Sequence, residues 1–154
     1  MPTSRGLGDV YKRQLEIFEC LDEFSDTQNF CDHYGFDIED SCNAILIKAK
    51  KPEEFYAMFC VLGANRLDVN HKAKEAMGAK RVSFASREEA EAVTGQIYGG
   101  ISPLGLPENI KVYMDKNVTD REKLFIGAGN RVSKFFLSPE TLIDLSSAKV
   151  LDLT

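Results

Sequence analysis

Apolar and polar residues alternate over residues 15–20 (LEIFEC), the period of a strand with one face covered. Ser25 and Gln28 then stand at capping-box spacing and open a helix that Gly35 ends. Two β-rich runs follow, NAILIKAK and FYAMFCVL, and the short link KPEE between them predicts a hairpin. The second run is apolar on both faces, which suits a central strand covered on both sides. After Asp68, the residues Val69, Ala73, Ala76 and Met77 form the stripe of a short helix that stops at Gly78. RVSFA reads as a short strand. Ser86 and Glu89 repeat the capping-box spacing, with Gly95 closing that helix. Further strands are expected near IKVYMD, KLFIGAG and SKFFL. A last helix opens with Ser138 as N-cap and Pro139 at its first position, and AKVLDL is a closing strand.

Strands and helices mix here without a regular βαβ alternation. The expected class is therefore α+β, with a mixed, mainly antiparallel β-sheet flanked by helices. Repeats, low complexity and an internal linker are not found. Residues 1–14 (MPTSRGLGDVYKRQ) have no apolar periodicity, and DVYKRQ resembles the translation of a sequencing-library adapter. We expect residues 1–14 to be a non-native or disordered segment on a chain whose native start is missing. Residues 15–154 are expected to form one domain.

Composition narrows the partners. At 154 residues the chain can bury one substantial core, and 44% hydrophobic with 28% charged residues is ordinary for a soluble globular protein. The net charge of -5 falls to -7 once Arg5, Lys12, Arg13 and Asp9 are set aside. Bulk charge therefore gives no affinity for nucleic acid, and any such partner must be recognised locally. The longest apolar stretch, FYAMFCVLGA, is strand-sized, so no membrane span is expected. Cys20, Cys31, Cys42 and Cys60 form no C-x-x-C pair, and neither His33 nor His71 lies near such a pair, so neither a disulfide framework nor a zinc site is expected. We expect a reduced, cytoplasmic protein with no cofactor.

The densest backbone punctuation lies in YGGISPLGLPENIKV. It is no dinucleotide fingerprint, because G-x-G-x-x-G is absent. From Gly100 to Gly105 it reads G-x-S-x-x-G, and Pro103 opposes the helix that a nucleophile elbow needs. Gly99 and Gly100 allow positive φ and close ligand approach, while Pro103 and Pro107 stiffen the exit. On residues alone the loop is either a structural turn or a nest of N–H groups for an anion or oxyanion.

The ordered series EAVTGQIYGGISPLGL, KVYMD, FIGAGNRVSKFFLSPETLIDL and AKVLDL resembles the YbaK/ProX family of aminoacyl-tRNA deacylases. These are freestanding relatives of the editing domain of bacterial prolyl-tRNA synthetases, and the likeness covers nearly everything after residue 14. It implies a partly barrel-like sheet and a trans-editing hydrolase that deacylates mischarged aminoacyl-tRNA at its acceptor end, with an aminoacyl-tRNA synthetase as a further partner. It also implies a pocket lined by Gly99, Gly100, Ile101, Ser102 and Pro103, with the second glycine turn at Gly127, Ala128 and Gly129 nearby. The loop would donate to the oxyanion, and the nucleophile would be water or a group of the substrate itself. Many members carry a pocket lysine where SCNAILI here places Asn43. Asn43 hydrogen-bonds but supplies no cation, and Lys48, at odd separation, points to the opposite face. The alternative is a catalytically inactive module that binds aminoacyl-tRNA or a synthetase.

The catalytic candidates are thus Asn43, Gly99, Gly100, Ile101 and Ser102. Substrate-binding candidates are Pro103, Gly105, Gly127, Gly129, Arg131, Lys134 and Arg66. Arg131 and Lys134 follow the second glycine turn and can neutralise a terminal phosphate or simply begin an exposed strand. Arg66 borders the pocket or, with Asp68, caps a helix. His71, Lys72, Lys74, Lys80 and Arg81 offer a phosphate contact or a solvated helix face. A small-ester hydrolase that uses Ser102 is a third reading.

Overall fold

The computed structural model describes residues 15–154; the expectation for residues 1–14 lies outside them. In chain order the elements are β1 (Glu16–Glu19), α1 (Thr27–Tyr34), β2 (Cys42–Lys51), β3 (Phe55–Leu62), α2 (Lys74–Met77), β4 (Arg81–Phe84), α3 (Arg87–Thr94), β5 (Lys111–Asp115), β6 (Leu124–Gly127), β7 (Ser133–Leu137), α4 (Pro139–Ser146) and β8 (Lys149–Leu151). Short 3-10 turns at Asp22–Phe24, Ile38–Asp40 and Lys116–Asp120 join them, and a π-wound turn, Val69–Ala73, leads into α2.

Local chemistry accounts for most boundaries. The Asp68 carboxylate accepts from the His71 amide at the π-wound turn, and Gly78 ends α2 with φ of 64°. The Ser86 and Glu89 capping box is complete, and Ser138 caps α4 with Pro139 in the first turn. The first capping box fails. Asp26, not Ser25, is the N-cap of α1, because the preceding 3-10 turn draws Ser25 into helical backbone at φ -76° and ψ -32°.

Two sheets result. One has the order β4-β2-β3-β5-β8, with β2 antiparallel to both β3 and β4, and β5 parallel to both β3 and β8. The other, β1-β7-β6, is antiparallel throughout. The expected α+β architecture holds. The sheets are not closed into a barrel: they meet at one parallel bridge, Ser41 to Phe125, so the barrel-like closure is not formed.

β3 is the covered central strand that its composition requires. Met58 and Cys60 face a core with Leu46, Met114, Leu137 and Leu142, while Phe59 and Val61 face Ile47, Ala73 and Met77 on the other side. The small sheet packs α1 over an aromatic cluster of Phe18, Phe30, Phe36, Phe125 and Phe136. Among the described residues, no helix is long and apolar enough to cross a membrane.

Candidate functional site

β4 pairs with β2 from Ile47 to Lys51, and β6 makes its one bridge to this segment at Ser41, just before β2, among the described residues. The β2 edge between these points is open, and a cavity of about 420 Å³ lies along it. Asn43 and Ala44 line this edge, Gly99, Gly100 and Ile101 face it, and Gly127 and Lys134 come from the small sheet.

The two glycine turns meet at this cavity by close backbone approach. The Gly129 amide donates to the Gly100 carbonyl at 2.7 Å, and the Gly129 carbonyl accepts from the Ile97 amide at 3.0 Å. A Cβ on Gly100 would fall 1.9 Å from the Asn130 carbonyl oxygen, and one on Gly127 would fall 2.6 Å from that of Ile101. Only glycine permits such contact. Gly99 is required for another reason, a left-handed φ of 93°.

Hydrogen bonding decides which loop amides are free. The Gly100 amide donates to the Ile97 carbonyl at 3.0 Å, and the Ser102 amide to the Gln96 side-chain oxygen at 2.6 Å. The Tyr98 amide is held by the Glu91 carboxylate at 2.8 Å. Among the described residues, the amides of Gly99 and Ile101 have no partner. Gln96 also donates to the Leu104 carbonyl at 3.1 Å and so clamps both sides of the turn.

The candidates therefore divide. Asn43, Gly99, Gly100, Ile101, Gly127 and Lys134 line the cavity. Ser102 does not: it is 1% exposed, and its hydroxyl accepts from the Leu104 amide at 3.1 Å. Pro103 and Gly105 line a different, larger groove. Gly129 clasps the loops without lining the cavity, and Arg66 is exposed away from it. Arg131 is held by Asp22 at 3.1 Å and Asp26 at 3.2 Å. Lys134 is buried, and its ammonium donates to the Ser25 carbonyl at 2.8 Å.

Several contributors were missing from the sequence reading. Gln96 and Glu91 hold the loop, and the only local sign was a polar residue directly after the Gly95 stop. Phe84 and Tyr98 line the cavity while remaining 62% and 48% exposed, which places them at its mouth. The wall behind them is tethered by Glu89, which accepts from the Lys48 ammonium at 2.7 Å and the Tyr56 hydroxyl at 2.9 Å. Lys48, the Ser86 amide and Tyr56 together hold the Glu89 carboxyl down at about 2. Cys42 lies in the lining too, and its thiol contact with Cys60 and its burial push its pKa well up, so it is no thiolate nucleophile.

A family model described as an aminoacyl-tRNA editing domain matches residues 22–145. The chain is 30% identical over 92 residues to a protein of Enterococcus faecalis named "Putative Cys-tRNA(Pro)/Cys-tRNA(Cys) deacylase EbsC", covering 60% of this chain and 56% of that one. It is 27% identical over 127 residues to a proline–tRNA ligase of Shouchella clausii, covering 82% of this chain and 20% of the ligase. The chain thus spans about half of the first relative and a fifth of the second. In fold it is similar to the crystal structure of "a putative trans-editing enzyme for prolyl tRNA synthetase", with TM-score 0.80, 23% identity and coverage of 100% of this chain and 98% of that one. The family match spans well over half of the sequence, and the chain belongs to the aminoacyl-tRNA editing domain family.

Proposed function

We propose that this protein is a trans-editing hydrolase that removes the amino acid from mischarged aminoacyl-tRNA, acting at the acceptor end in the cytoplasm. Residues 15–154 serve as one editing domain. The observation that carries the reading is the pairing of a small cavity with a loop whose neighbouring amides are spent. Gly100 and Ser102 donate internally, which leaves Gly99 and Ile101 free beside the cavity.

Ester hydrolysis needs a polarised carbonyl and a placed nucleophile. Water adds its oxygen to the acyl carbon, the bond from that carbon to the ribose oxygen breaks, and the ribose oxygen takes the proton that water loses. The Gly99 and Ile101 amides hold the oxyanion, and each such donor is worth about 2.7–4 kcal/mol of barrier. Asn43, at the open β2 edge, orients the water or the substrate through its amide. Ser102 has no part in the bond changes. Selection rests on cavity size, at about 1–3 kcal/mol per methylene, which suits a second sieve for small amino acids.

Single-turnover deacylation across a panel of mischarged tRNAs tests this, with Cys-tRNA(Pro) and Cys-tRNA(Cys) first because of the name of the Enterococcus relative. The expected result is accelerated ester loss for at least one small amino acid; no acceleration with any of them overturns the reading. A second reading draws on Asn43, which stands where the family resemblance leads one to expect a lysine. A catalytically inactive module that binds aminoacyl-tRNA or a synthetase would bind without turnover, and Asn43→Lys would then create activity.

A further inference from the structure

An ammonium taken out of water is costly unless an anion or several acceptors replace its hydration. Lys134 is 5% exposed, yet one carbonyl, that of Ser25, and the face of the Phe30 ring with its centroid 5.4 Å away are its close partners. Among the described residues it forms no ion pair; Asp22 and Asp26 are both taken by Arg131. The titratable and charged groups facing it are Cys20 beyond β1, Asp26 and Cys31 at α1, and Arg131 before β7. Burial raises the pKa of both thiols, so neither offers a thiolate. Burial likewise pulls the Lys134 ammonium below the ordinary lysine range. Among the described residues no carboxylate lies at ion-pair distance from it, and Asp26, held by Arg131, acts on it only from farther off.

An ammonium has three donors, and the Ser25 carbonyl takes one. Lys134 also belongs to the cavity lining, and the cavity is the side from which an acceptor can approach the remaining donors. The β-ladder fixes the place. Lys134 sits directly opposite Gly127 on β6, and Gly127 packs against the carbonyls of Gly100 and Ile101. The lysine therefore springs from the strand next to the one that touches the loop carrying the free Ile101 amide.

We propose that Lys134 is a catalytic residue of the editing reaction: its ammonium donates to the carbonyl oxygen of the aminoacyl ester and holds the charge that develops there as water adds. β7, rather than position 43 of β2, supplies the cation of this pocket. Lys134 keeps its proton throughout, and the bond changes are those of the hydrolysis given above. The proposal rests on the deacylase reading, and the experiment separates the two.

Lys134→Met removes the charge and keeps the stem, and Lys134→Gln retains a donor for the Ser25 carbonyl without the charge. Both are measured for thermal unfolding, for single-turnover deacylation of mischarged tRNA, and for binding of a 3′-aminoacylamino-3′-deoxyadenosine, an unreactive amide analogue. We expect folded variants, since an apolar replacement of a buried cation is tolerated. We expect deacylation about 100-fold slower and analogue binding about 10-fold weaker in both variants. Folded variants within threefold of wild type in rate and affinity overturn the proposal. Full activity in Lys134→Gln with loss in Lys134→Met also overturns it, by reducing the residue to a strut for Ser25. If the wild type hydrolyses nothing, the deacylase reading fails and the catalytic role falls with it, whereas an active wild type with unaffected Lys134 variants overturns the catalytic role alone.

Discussion

A large groove and a smaller cavity of this fold differ in how far their charged groups are taken out of water, and volume does not tell them apart. The groove of about 980 Å³ lies against β5 and β8, with Lys72, Glu75, Lys111, Lys149 and Asp152 in its lining. Only one pair of its charges is joined: Lys72 donates to Asp152 at 3.1 Å and to the Thr154 carbonyl at 2.6 Å, while Lys111 and Lys149 are exposed and form no ion pair among the described residues. The cavity of about 420 Å³ instead has, among the described residues, two amides without a partner and a buried ammonium with no carboxylate at ion-pair distance. Volume records where packed elements part. The groove's lysines stay hydrated, whereas the Lys134 ammonium of the smaller cavity is withdrawn from water.

The difference can be broken most sharply at Gly100. Its replacement by alanine drives a Cβ into the Asn130 carbonyl and separates the glycine turns. We expect deacylation to fall at least 100-fold and stability by roughly 3 kcal/mol, read by a quenched-flow assay and urea unfolding. Lys149→Ala, in the groove, should leave both unchanged.

Acid should loosen the wall of the smaller cavity. The Glu89 carboxyl is held at about 2 against an ordinary 4.5, so its stabilisation is complete above 4.5 and is lost as pH falls from 4.5 toward 2. Glu89→Gln should flatten that part of a plot of unfolding free energy against pH. Exposure and salt screening keep the effect modest.

The smallest effect belongs to Ser102. Its hydroxyl caps the turn at Leu104 and stands outside the cavity. Ser102→Ala should keep deacylation within threefold while costing about 1 kcal/mol of stability, measured by thermal unfolding.

These outcomes also mark what could be read in the sequence. Helix ends were legible because capping is local: Gly35, Gly78, Gly95, Ser86 and Ser138 act where their spacing placed them. Ser25 misled because an adjoining 3-10 turn competes for its backbone, and periodicity carries no mark of that turn. The hairpin and the doubly covered β3 followed from apolar runs, whereas the split into two sheets depends on pairing between segments far apart in sequence, such as Glu16 with Phe136. At the site, the glycines announced a close approach but not its partner, since Gly100 and Gly127 meet only in three dimensions. In the sequence Lys134 reads as a contact for a terminal phosphate or as an exposed strand start, with nothing to mark it as buried. Its burial comes from α1 folding over β7, and its neighbours in sequence give no sign of that.

The most direct measurement is single-turnover deacylation of one panel of mischarged tRNAs by wild type, Gly127→Ala and Lys149→Ala. The account predicts hydrolysis by wild type and Lys149→Ala at matching rates, and a loss of at least 100-fold in Gly127→Ala, whose Cβ would push against the Gly100 and Ile101 carbonyls. An inert wild type, or activity that survives at Gly127 and disappears at Lys149, would contradict it.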